Sequence, residues 1–292
     1  MKDIFITAAL CSLLTATPAL AAPPAWEITD ADSRVVLFPT IHVLPDGLDW
    51  ETQALKAEIQ QADEVWFEIE DATSPQAVAE IQALMGEKGL SPDMPLSKRL
   101  SEDQLATLTA TLDSLGVPLA QIDPMRPWLA AVMLSMTSLV QAGFNPENGV
   151  EKELEDDYAD RPRRGLESPA FQVGMLASLE GDDQVGFLMS SLDDLDSIGE
   201  TLLQVAHAWS KGDVEMIETE LLAEMRADYP DIFAAMFTNR NANWAEIIDA
   251  EMQGSGRDFI AVGAGHLVGP ESVQSMLQAR GYTVRRISLV DE

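Results

Sequence analysis

The chain has 292 residues, of which 46% are hydrophobic, so it can bury a full core and fold on its own. It carries 49 acidic and 18 basic residues, which give a formal net charge of -31 at pH 7. Nucleic acids and anionic membranes bind through basic patches, so this charge excludes both as partners. The acidity itself is most simply explained as a solvated surface.

The first 21 residues are typical of a secretory signal peptide. Lys2 precedes an apolar stretch at 4–14, and Ala19-Leu20-Ala21 matches a small-x-small cleavage site. We expect cleavage after Ala21, a location in the periplasm or outside the cell, and no stable membrane span, because the apolar stretch is too short. Cleavage would remove Cys11, the only cysteine, and would exclude cysteine catalysis, thiolate metal ligands and disulfides.

Hydrophobic periodicity predicts strands near both ends of the chain and helices between them. The apolar segment 127–141 is interrupted by Ser135, Thr137 and Ser138, which favours a buried helix over a membrane span. A helix within 96–115 is expected to start after an N-cap at Ser101 and to end at Gly116. The remaining strands are predicted at 23–28, 35–43, 64–70, 164–167, 257–262 and 282–289, and the remaining helices at 50–62, 75–85, 149–158, most of 169–250, and 270–279.

These elements form a strand–helix–strand unit at each end of the chain and a long helical middle section. We therefore expect an α/β fold in which the two ends share one central sheet. Residues around 97–250 would form a helical insertion or cap. No linker rich in Pro, Gly or Ser separates two parts, so residues 22–292 are expected to form a single domain.

Two of the three histidines stand at the ends of apolar runs, at 35–42 and 259–266. Strand ends are where α/β folds expose side chains to ligands, so His42 and His266 are expected to form one site from two distant segments. The third histidine, His207, lies inside a helical run and is expected to be exposed or packed without a role in the site.

The segment 65–70 offers carboxylates to the same site. In a strand, Glu68 and Glu70 point to the same face. Two imidazoles and one carboxylate are a known ligand set for a catalytic divalent metal, so His42 and His266 are candidate ligands. The alternative is that both histidines are structural and both glutamates lie on a solvated face.

The segment 263–270, Gly-Ala-Gly-His-Leu-Val-Gly-Pro, predicts a loop with unusual backbone geometry. Gly263 and Gly265 permit close approach of the backbone, and Gly269-Pro270 fits the start of a helix with Pro in its first turn. A helix N-terminus beside His266 would suit an anion or an oxyanion. The loop lacks the Lys-Ser/Thr of a phosphate-binding loop, and no Gly-x-Ser-x-Gly elbow of a serine hydrolase is present.

At these residues the chain resembles the TraB/GumN family, most closely its GumN-like bacterial members, which are related to the Tiki metalloproteases. The most specific match is 262–269, which contains the family's second Gly-x-x-His element. The first element corresponds to 39–42, where Pro39 replaces the usual glycine and removes an N–H. Further matches, in order, are Pro24-Ala25-Trp26, the strand ending at Glu68, Gly149-Val150-Glu151, Gly165-Leu166-Glu167-Ser168, Ala208-Trp209 with Gly212-Asp213, Asn239-Arg240-Asn241 with Trp244, and Gly281-Tyr282-Thr283-Val284.

The resemblance implies a central mixed sheet and metal-assisted hydrolysis by a peptidase that uses Mn²⁺ or Co²⁺, with Zn²⁺ as an alternative. It implies His42, Glu68 and His266 as metal ligands and Glu68 also as general base. Arg240 would hold an oxyanion or a substrate carboxylate. The expected partner is a peptide or another small polymeric substrate, and its binding positions would be Glu70, Glu167, Gly263 and Gly265.

Two other functions remain open at this point. One is a non-catalytic envelope protein that binds or regulates by sequestering a peptide or haem, which the replacement at Pro39 favours. ChaN-like haem-binding proteins and erythromycin-esterase-like hydrolases belong to the same wider fold group, so fold alone does not separate binding from catalysis. The other is an accessory factor in polysaccharide export, which rests only on the name GumN.

Overall fold

The computed structural model describes residues 22–195 and 197–291. The expected signal peptide, residues 1–21, lies outside the described residues, so cleavage and export stay predictions. The described part is an α/β fold built on a six-stranded mixed sheet, which confirms the expected fold class. Strands from both ends of the chain lie side by side in this sheet, as predicted.

Within the described residues, eight strands form two sheets of very different size. They are β1 (Pro24–Thr29), β2 (Ser33–Thr40), β3 (Leu44–Pro45), β4 (Glu64–Ile69), β5 (Phe144–Asn145), β6 (Arg163–Glu167), β7 (Gly256–Gly263) and β8 (Thr283–Ser288). The large sheet has the order β6-β4-β7-β2-β1-β8, and β3 pairs with β5 separately. Strands β6, β4, β7 and β2 are parallel, whereas β1 is antiparallel to both of its neighbours.

Helices cover both faces of the sheet and extend beyond it. They are α1 (Gln53–Gln61), α2 (Pro75–Gly89), α3 (Glu102–Leu115), α4 (Leu119–Ile122), α5 (Pro127–Gln141), α6 (Val150–Asp157), α7 (Pro169–Ser178), α8 (Gly181–Asp194), α9 (Ile198–Ser210), α10 (Val214–Leu221), α11 (Ala223–Asp228), α12 (Pro230–Phe233), α13 (Asn239–Glu251) and α14 (Val273–Ala279). A π-helical turn, Ala234–Thr238, joins α12 to α13. Short 3₁₀ turns occur at Leu96–Lys98, Pro146–Asn148 and Ala264–Leu267.

The central strands are apolar along most of their length because both faces of the sheet are buried. In β2, Val36 and Phe38 pack on one face, where α1, α6, α9 and α10 cover the sheet. Val35 and Leu37 pack on the other face, beneath α13 and α14. A third apolar cluster joins α3, α5, α7 and α8 around the buried Trp128. The helical section therefore has a core of its own next to the sheet.

Local signals set the ends of α3 as the sequence predicted. The Ser101 side chain accepts from the Gln104 N–H, and the Gln104 side chain accepts from the Ser101 N–H, which completes a capping box. Gly116 ends the helix in the left-handed region at φ 68°. Helix α5 is buried along most of its apolar face, as expected. Among the described residues, no helix has the length and apolarity needed to cross a membrane.

Three sequence-based expectations differ from the structure. Strand β2 ends at Thr40 rather than at 43, so His42 lies in the loop that follows. Helix α14 begins at Val273, not at 270, because Gly269 adopts φ 79° and the Gly269-Pro270 turn breaks the chain direction. The section around 97–250 is not an uninterrupted helical insertion, because the strand predicted at 164–167 is present as β6 and pairs with β4 in the central sheet.

Candidate active site at the carboxyl edge of the sheet

The carboxyl ends of the parallel strands meet along one edge of the sheet. Thr40 at the end of β2 pairs with Gly263 at the end of β7, and Ile69 in β4 pairs with Glu167 in β6. Side chains on and just after these strands therefore come together, as they do at ligand sites of other α/β sheets. His42 follows β2, Glu68 lies in β4, and the 3₁₀ turn after β7 carries His266.

His266 is buried and held in one tautomer by its neighbours. The Asn241 Nδ2 donates to the Glu271 carbonyl at 2.8 Å, which turns the Asn241 Oδ1 toward the imidazole, 2.6 Å from Nδ1. Because an amide oxygen only accepts, Nδ1 carries the proton and Nε2 keeps its lone pair. Burial lowers the pKa of His266 to about 3, so the ring is neutral at physiological pH.

His42 has the opposite environment. Its side chain is 68% exposed, and its Nδ1 lies 2.7 Å from the Glu151 Oε1 at the start of α6. Glu151 also accepts a hydrogen bond from the Thr40 hydroxyl, so the carboxylate is tied to the end of β2. The negative charge of Glu151 raises the pKa of His42 to about 9. This pair leaves Nε2 of His42 directed to the same pocket as Glu68 and His266.

Glu68 lies between the two imidazoles. Its Oε1 accepts from the Gly263 N–H at 2.9 Å and lies 3.8 Å from the His266 Nε2. Its Oε2 pairs with the Arg240 Nη2 at 2.6 Å. Burial by itself would raise the pKa of Glu68, but the neighbouring imidazoles, Arg240 and the Gly263 N–H hold it well below its usual range. Glu68 is therefore ionised over the whole neutral range.

Arg240 is clamped between two carboxylates. Besides Glu68, it contacts Glu167 through Nε at 3.0 Å and Nη2 at 2.8 Å. Glu167 also accepts from the Trp244 Nε1 at 2.8 Å and the Gln172 Nε2 at 3.1 Å, and its side chain is only 1% exposed. The Arg240 Nη1 lies 3.1 Å from the His266 Nε2 and donates to that lone pair. Arg240 thus links the two carboxylates to the buried imidazole.

Close approach of other groups requires glycine both at Gly263, the last residue of β7, and at Gly265, just after it. A Cβ at Gly263 would lie 3.0 Å from the Glu68 Oε1 and 3.7 Å from the His42 Nε2. A Cβ at Gly265 would lie 2.7 Å from the Phe237 ring, which packs beside His266 with ring centroids 5.1 Å apart. Larger residues would push into the space between the site groups or displace the aromatic wall of the site.

The chemistry of these groups fits a divalent ion. Each imidazole has its Nδ1 held by an oxygen, which is the usual support for a metal-ligating histidine. At His42 an ion would have to displace the Nε2 proton that Glu151 stabilises. A side chain at Gly263 would fill the space between Glu68 and His42. Within the described part of the chain, however, no group of three His, Cys, Asp or Glu side chains is already spaced to hold an ion. In this arrangement the Arg240 Nη1 occupies the lone pair of His266.

The structure places most of the residues singled out from the sequence at this site. His42, Glu68, Arg240, Gly263, Gly265 and His266 line one pocket. Glu167 lies behind Arg240 with both oxygens occupied, so it positions Arg240 instead of facing a substrate. Glu70 follows the end of β4, is exposed and does not line the pockets beside Glu68. His207 is exposed on α9, as expected.

Sequence reasoning missed several groups that orient the site. Glu151 holds His42, and Asn241 holds His266. Gln172 donates to both Glu68 and Glu167. Glu151 and Asn241 lie within short elements that already carried the family resemblance, so those elements were a usable signal. For Gln172, inside an ordinary helix, the sequence offers no such signal.

The comparison with known families agrees with this geometry. The model of the TraB/PrgY/gumN family matches residues 24–286, which include every strand bearing a site residue. The match covers most of the chain, and the protein therefore belongs to the TraB/PrgY/gumN family. This confirms the resemblance seen in the sequence.

Individual relatives are distant and similar over most of their length. The chain is 25% identical to the uncharacterized protein YbaP of Escherichia coli K12 over 87% of this chain and 92% of YbaP. It is 24% identical to an uncharacterized protein of Treponema pallidum over 87% of this chain and 80% of that protein. No solved structure matches the chain significantly.

Proposed function

We propose that this protein is a metal-dependent hydrolase of peptide-like substrates. The observation that supports this proposal lies at the carboxyl edge of the sheet, where two imidazoles, each with its Nδ1 held by an oxygen, meet one ionised carboxylate. His42, Glu68 and His266 would hold the ion, with Mn²⁺ or Co²⁺ favoured and Zn²⁺ as an alternative. When bound, such an ion polarises a carbonyl and lowers the pKa of a bound water.

The chain's own residues supply the remaining chemistry. Glu68 is ionised at neutral pH and is therefore available to accept a proton from an attacking water. Arg240 keeps its charge and lines the pocket, and once its Nη1 is released from the His266 Nε2 it could donate to an oxyanion or a substrate carboxylate. Glu167 holds Arg240 in this position. For a metal to take the lone pair of His266, Nη1 of Arg240 must turn away.

We also propose that the protein is exported to the periplasm or the medium, as residues 1–21 indicate. N-terminal sequencing of the protein purified from its native host tests this proposal. A mature start at Ala22 is expected. A chain that retains Met1 or Lys2 would refute the export signal.

Metal content tests the proposed function directly. We would load the protein with Mn²⁺, Co²⁺ or Zn²⁺, remove free ions, and measure bound metal by mass spectrometry. One equivalent is expected in the wild type, with loss in His42→Ala and in His266→Ala. His207→Ala is the matched control, because this exposed histidine lies away from the site and should leave the metal content unchanged.

Two outcomes would contradict the proposal. One is the absence of metal from the wild type under all three loading conditions. The other is metal that persists in both site variants while their circular dichroism matches the wild type. Because His266 is buried, Gly263→Ala serves as a second variant, with Gly86→Ala as its control, since a Cβ at Gly86 meets no atom within 4 Å.

A second candidate function is a binding protein that sequesters a peptide or haem without chemistry. The Arg240–Glu68 ion pair favours it, because this pair occupies groups that catalysis would need. Titration with haem would give a Soret band, and binding of a peptide by metal-free protein without cleavage would support the peptide version. Stoichiometric metal together with cleavage would exclude both.

A further inference from the structure

The site opens on one side into an apolar pocket of about 360 Å³. Its wall beyond the site residues is formed mainly by Met136, Leu139, Leu202, Val205, Met236 and Phe237. The volume falls within the range of roughly 300–1,000 Å³ found for small-ligand pockets. It is large enough for one bulky side chain and the peptide backbone next to it.

Several separate parts of the helical section build this wall, and the end of α10 adds Leu221 and Leu222 to it. Met136 and Leu139 lie three residues apart on α5, and Leu202 and Val205 have the same spacing on α9, so each helix presents one face. The π-helical turn before α13 contributes Met236 and Phe237. Such turns are rare in proteins, and those that occur are often found at functional sites. The Met236 carbonyl accepts from the Arg240 Nη1 at 3.2 Å, which ties the pocket wall to the site.

The charges in this pocket are distributed unevenly. The protein has a net charge of -31, yet among the described residues the only charged or titratable side chains that line the pocket are His42, Glu68, Arg240 and His266, all members of the site. Met136 is 39% exposed although it lines a concave surface. Contact between such an apolar wall and water is unfavourable, and a concave apolar surface of this kind is typical of a ligand pocket.

The site also borders charged side chains that lie outside the apolar pocket. His42 and Glu68 also line a second pocket, of about 290 Å³, whose other walls include Thr73, Glu151 and Lys152. A substrate that contacts both pockets therefore meets, among the described residues, no charge beyond the site residues in the first pocket, whereas in the second it meets Glu151, Lys152 and Glu155 beside apolar side chains. This asymmetry would fix the direction in which a peptide lies.

We propose that the apolar pocket binds a large aliphatic or aromatic side chain of the peptide, beside the bond that is cleaved. This inference rests on the proposed hydrolase function and extends it to a substrate class. Transfer of such a side chain from water to an apolar wall is favourable, whereas a charged side chain would lose its hydration there without a partner.

Binding to metal-free protein tests this inference without relying on activity. The probe is N-phenyl-1-naphthylamine, a neutral aromatic dye that fluoresces in apolar pockets, competed with N-acetyl amides of single amino acids. The Leu and Phe amides are expected to displace the dye, and the Asp and Lys amides are not. Displacement that does not depend on the side chain would overturn the inference.

Two matched variants on α5 locate the binding. Met136→Glu places a charge in the pocket wall and is expected to weaken dye binding at least tenfold. Met133→Glu is the control, because Met133 is 41% exposed on the same helix and does not line this pocket. It should change binding less than twofold. Equal effects of the two variants would also overturn the inference.

The outcome for the pocket and the outcome for the hydrolase proposal can be told apart. Suppose that the Leu and Phe amides displace the dye selectively but the loading experiment finds no bound metal. This result would contradict the hydrolase proposal and leave an apolar peptide-binding site. Bound metal without selective displacement would leave the hydrolase and remove this substrate class. Where both hold, mass spectrometry of a cleaved peptide library should show bulky apolar residues at one fixed position beside the cleavage site.

Discussion

Individual residues of the site act in pairs that set charge and tautomer. Glu151 holds Nδ1 of His42, and Asn241 holds Nδ1 of His266, so both rings present Nε2 to the pocket. The two rings nevertheless differ in charge. The exposed His42 beside a carboxylate favours the protonated form, whereas burial keeps His266 neutral. One proton donor and one lone pair thus face the same space.

The His42–Glu151 pair predicts a specific pH dependence. The pKa of His42 is about 9 in the folded protein, above its ordinary value of 6.5. Stabilisation by this pair is therefore fully present below about pH 6.5 and is lost as the pH rises through 9. In Glu151→Gln, NMR titration of metal-free protein should show the pKa of His42 falling toward its ordinary value. The control Asp157→Asn, on the same helix, should leave it unchanged.

A His42 pKa in Glu151→Gln that equals that of the wild type would contradict this account. It would mean that another group, and not the carboxylate at the start of α6, holds the proton on the imidazole.

The buried pair Arg240–Glu167 predicts a large effect on stability. Arg240→Leu would leave the carboxylate of Glu167 buried without its cation, which typically costs about 3–5 kcal/mol. Urea denaturation of the variant should show a loss of this size. The double variant Arg240→Leu with Glu167→Leu removes both charges and should recover part of the loss. A single variant that costs under about 1 kcal/mol would refute the tight pairing.

At the scale of elements, helix ends and strand ends follow different rules. The ends of α3 depend on residues within four positions of each other, and both were predicted from local signals. The end of β2 depends on pairing with its neighbours. The β1–β2 pairing ends at Trp26–Leu37, and Pro39 lies past it, where β2 still pairs with β7. Pro39, which has no backbone N–H to donate, therefore lies where β2 no longer pairs with β1.

The capping box of α3 predicts a modest and local loss. Ser101→Ala removes the acceptor for the Gln104 N–H and should lower the free energy of unfolding by about 1 kcal/mol. Thr109→Ala is the control, since Thr109 is exposed in the middle of the same helix and alanine is the better helix former there. It should be neutral or stabilising by thermal denaturation. Equal losses in both variants would refute a role for the cap.

At the scale of the whole molecule, the acidic charge is uneven. Asp258 lies near the amino edge of the parallel strands, opposite to the candidate active site, with Glu251, Glu64 and Asp63 nearby. Burial first, and then these three charges, raise the pKa of Asp258 to about 6, while Arg164 acts against them. Three carboxylates thus act against the ionisation of Asp258 at the end of the sheet away from the site.

The raised pKa of Asp258 predicts that the free energy of unfolding falls as the pH rises. Its pKa is about 6 when folded and 3.8 in a model peptide, so the folded state binds more protons between these values. Asp258→Asn should therefore be more stable than the wild type at pH 7.5 and similar at pH 3.5, as measured by thermal denaturation. Asp93→Asn removes the same charge from an exposed turn and is the control. A stability gain that does not vary with pH would contradict the assignment.

The sequence by itself determined the class of fold and the location of the site. Apolar runs at 35–40 and 259–263 specify strands that are buried on both faces, because only such strands are apolar throughout. Each run leads to a histidine, and strand ends of α/β sheets gather ligands, so His42 and His266 could be assigned to one site. The Gly-x-x-His element at 263–266 also indicated the family to which the chain belongs. These signals are local, since each lies within a few consecutive residues.

Only the tertiary structure decided how the site groups are paired. Arg240 and Glu167 come from different elements, and their contact behind Glu68 depends on how α13 packs on the sheet. The apolar pocket combines faces of α5 and α9 with the π-helical turn, and no single segment shows it. Glu70 shares the strand parity of Glu68, yet lies past the end of β4 and away from the pocket. Periodicity fixes the face on which a side chain lies, but distances between remote segments arise only from packing.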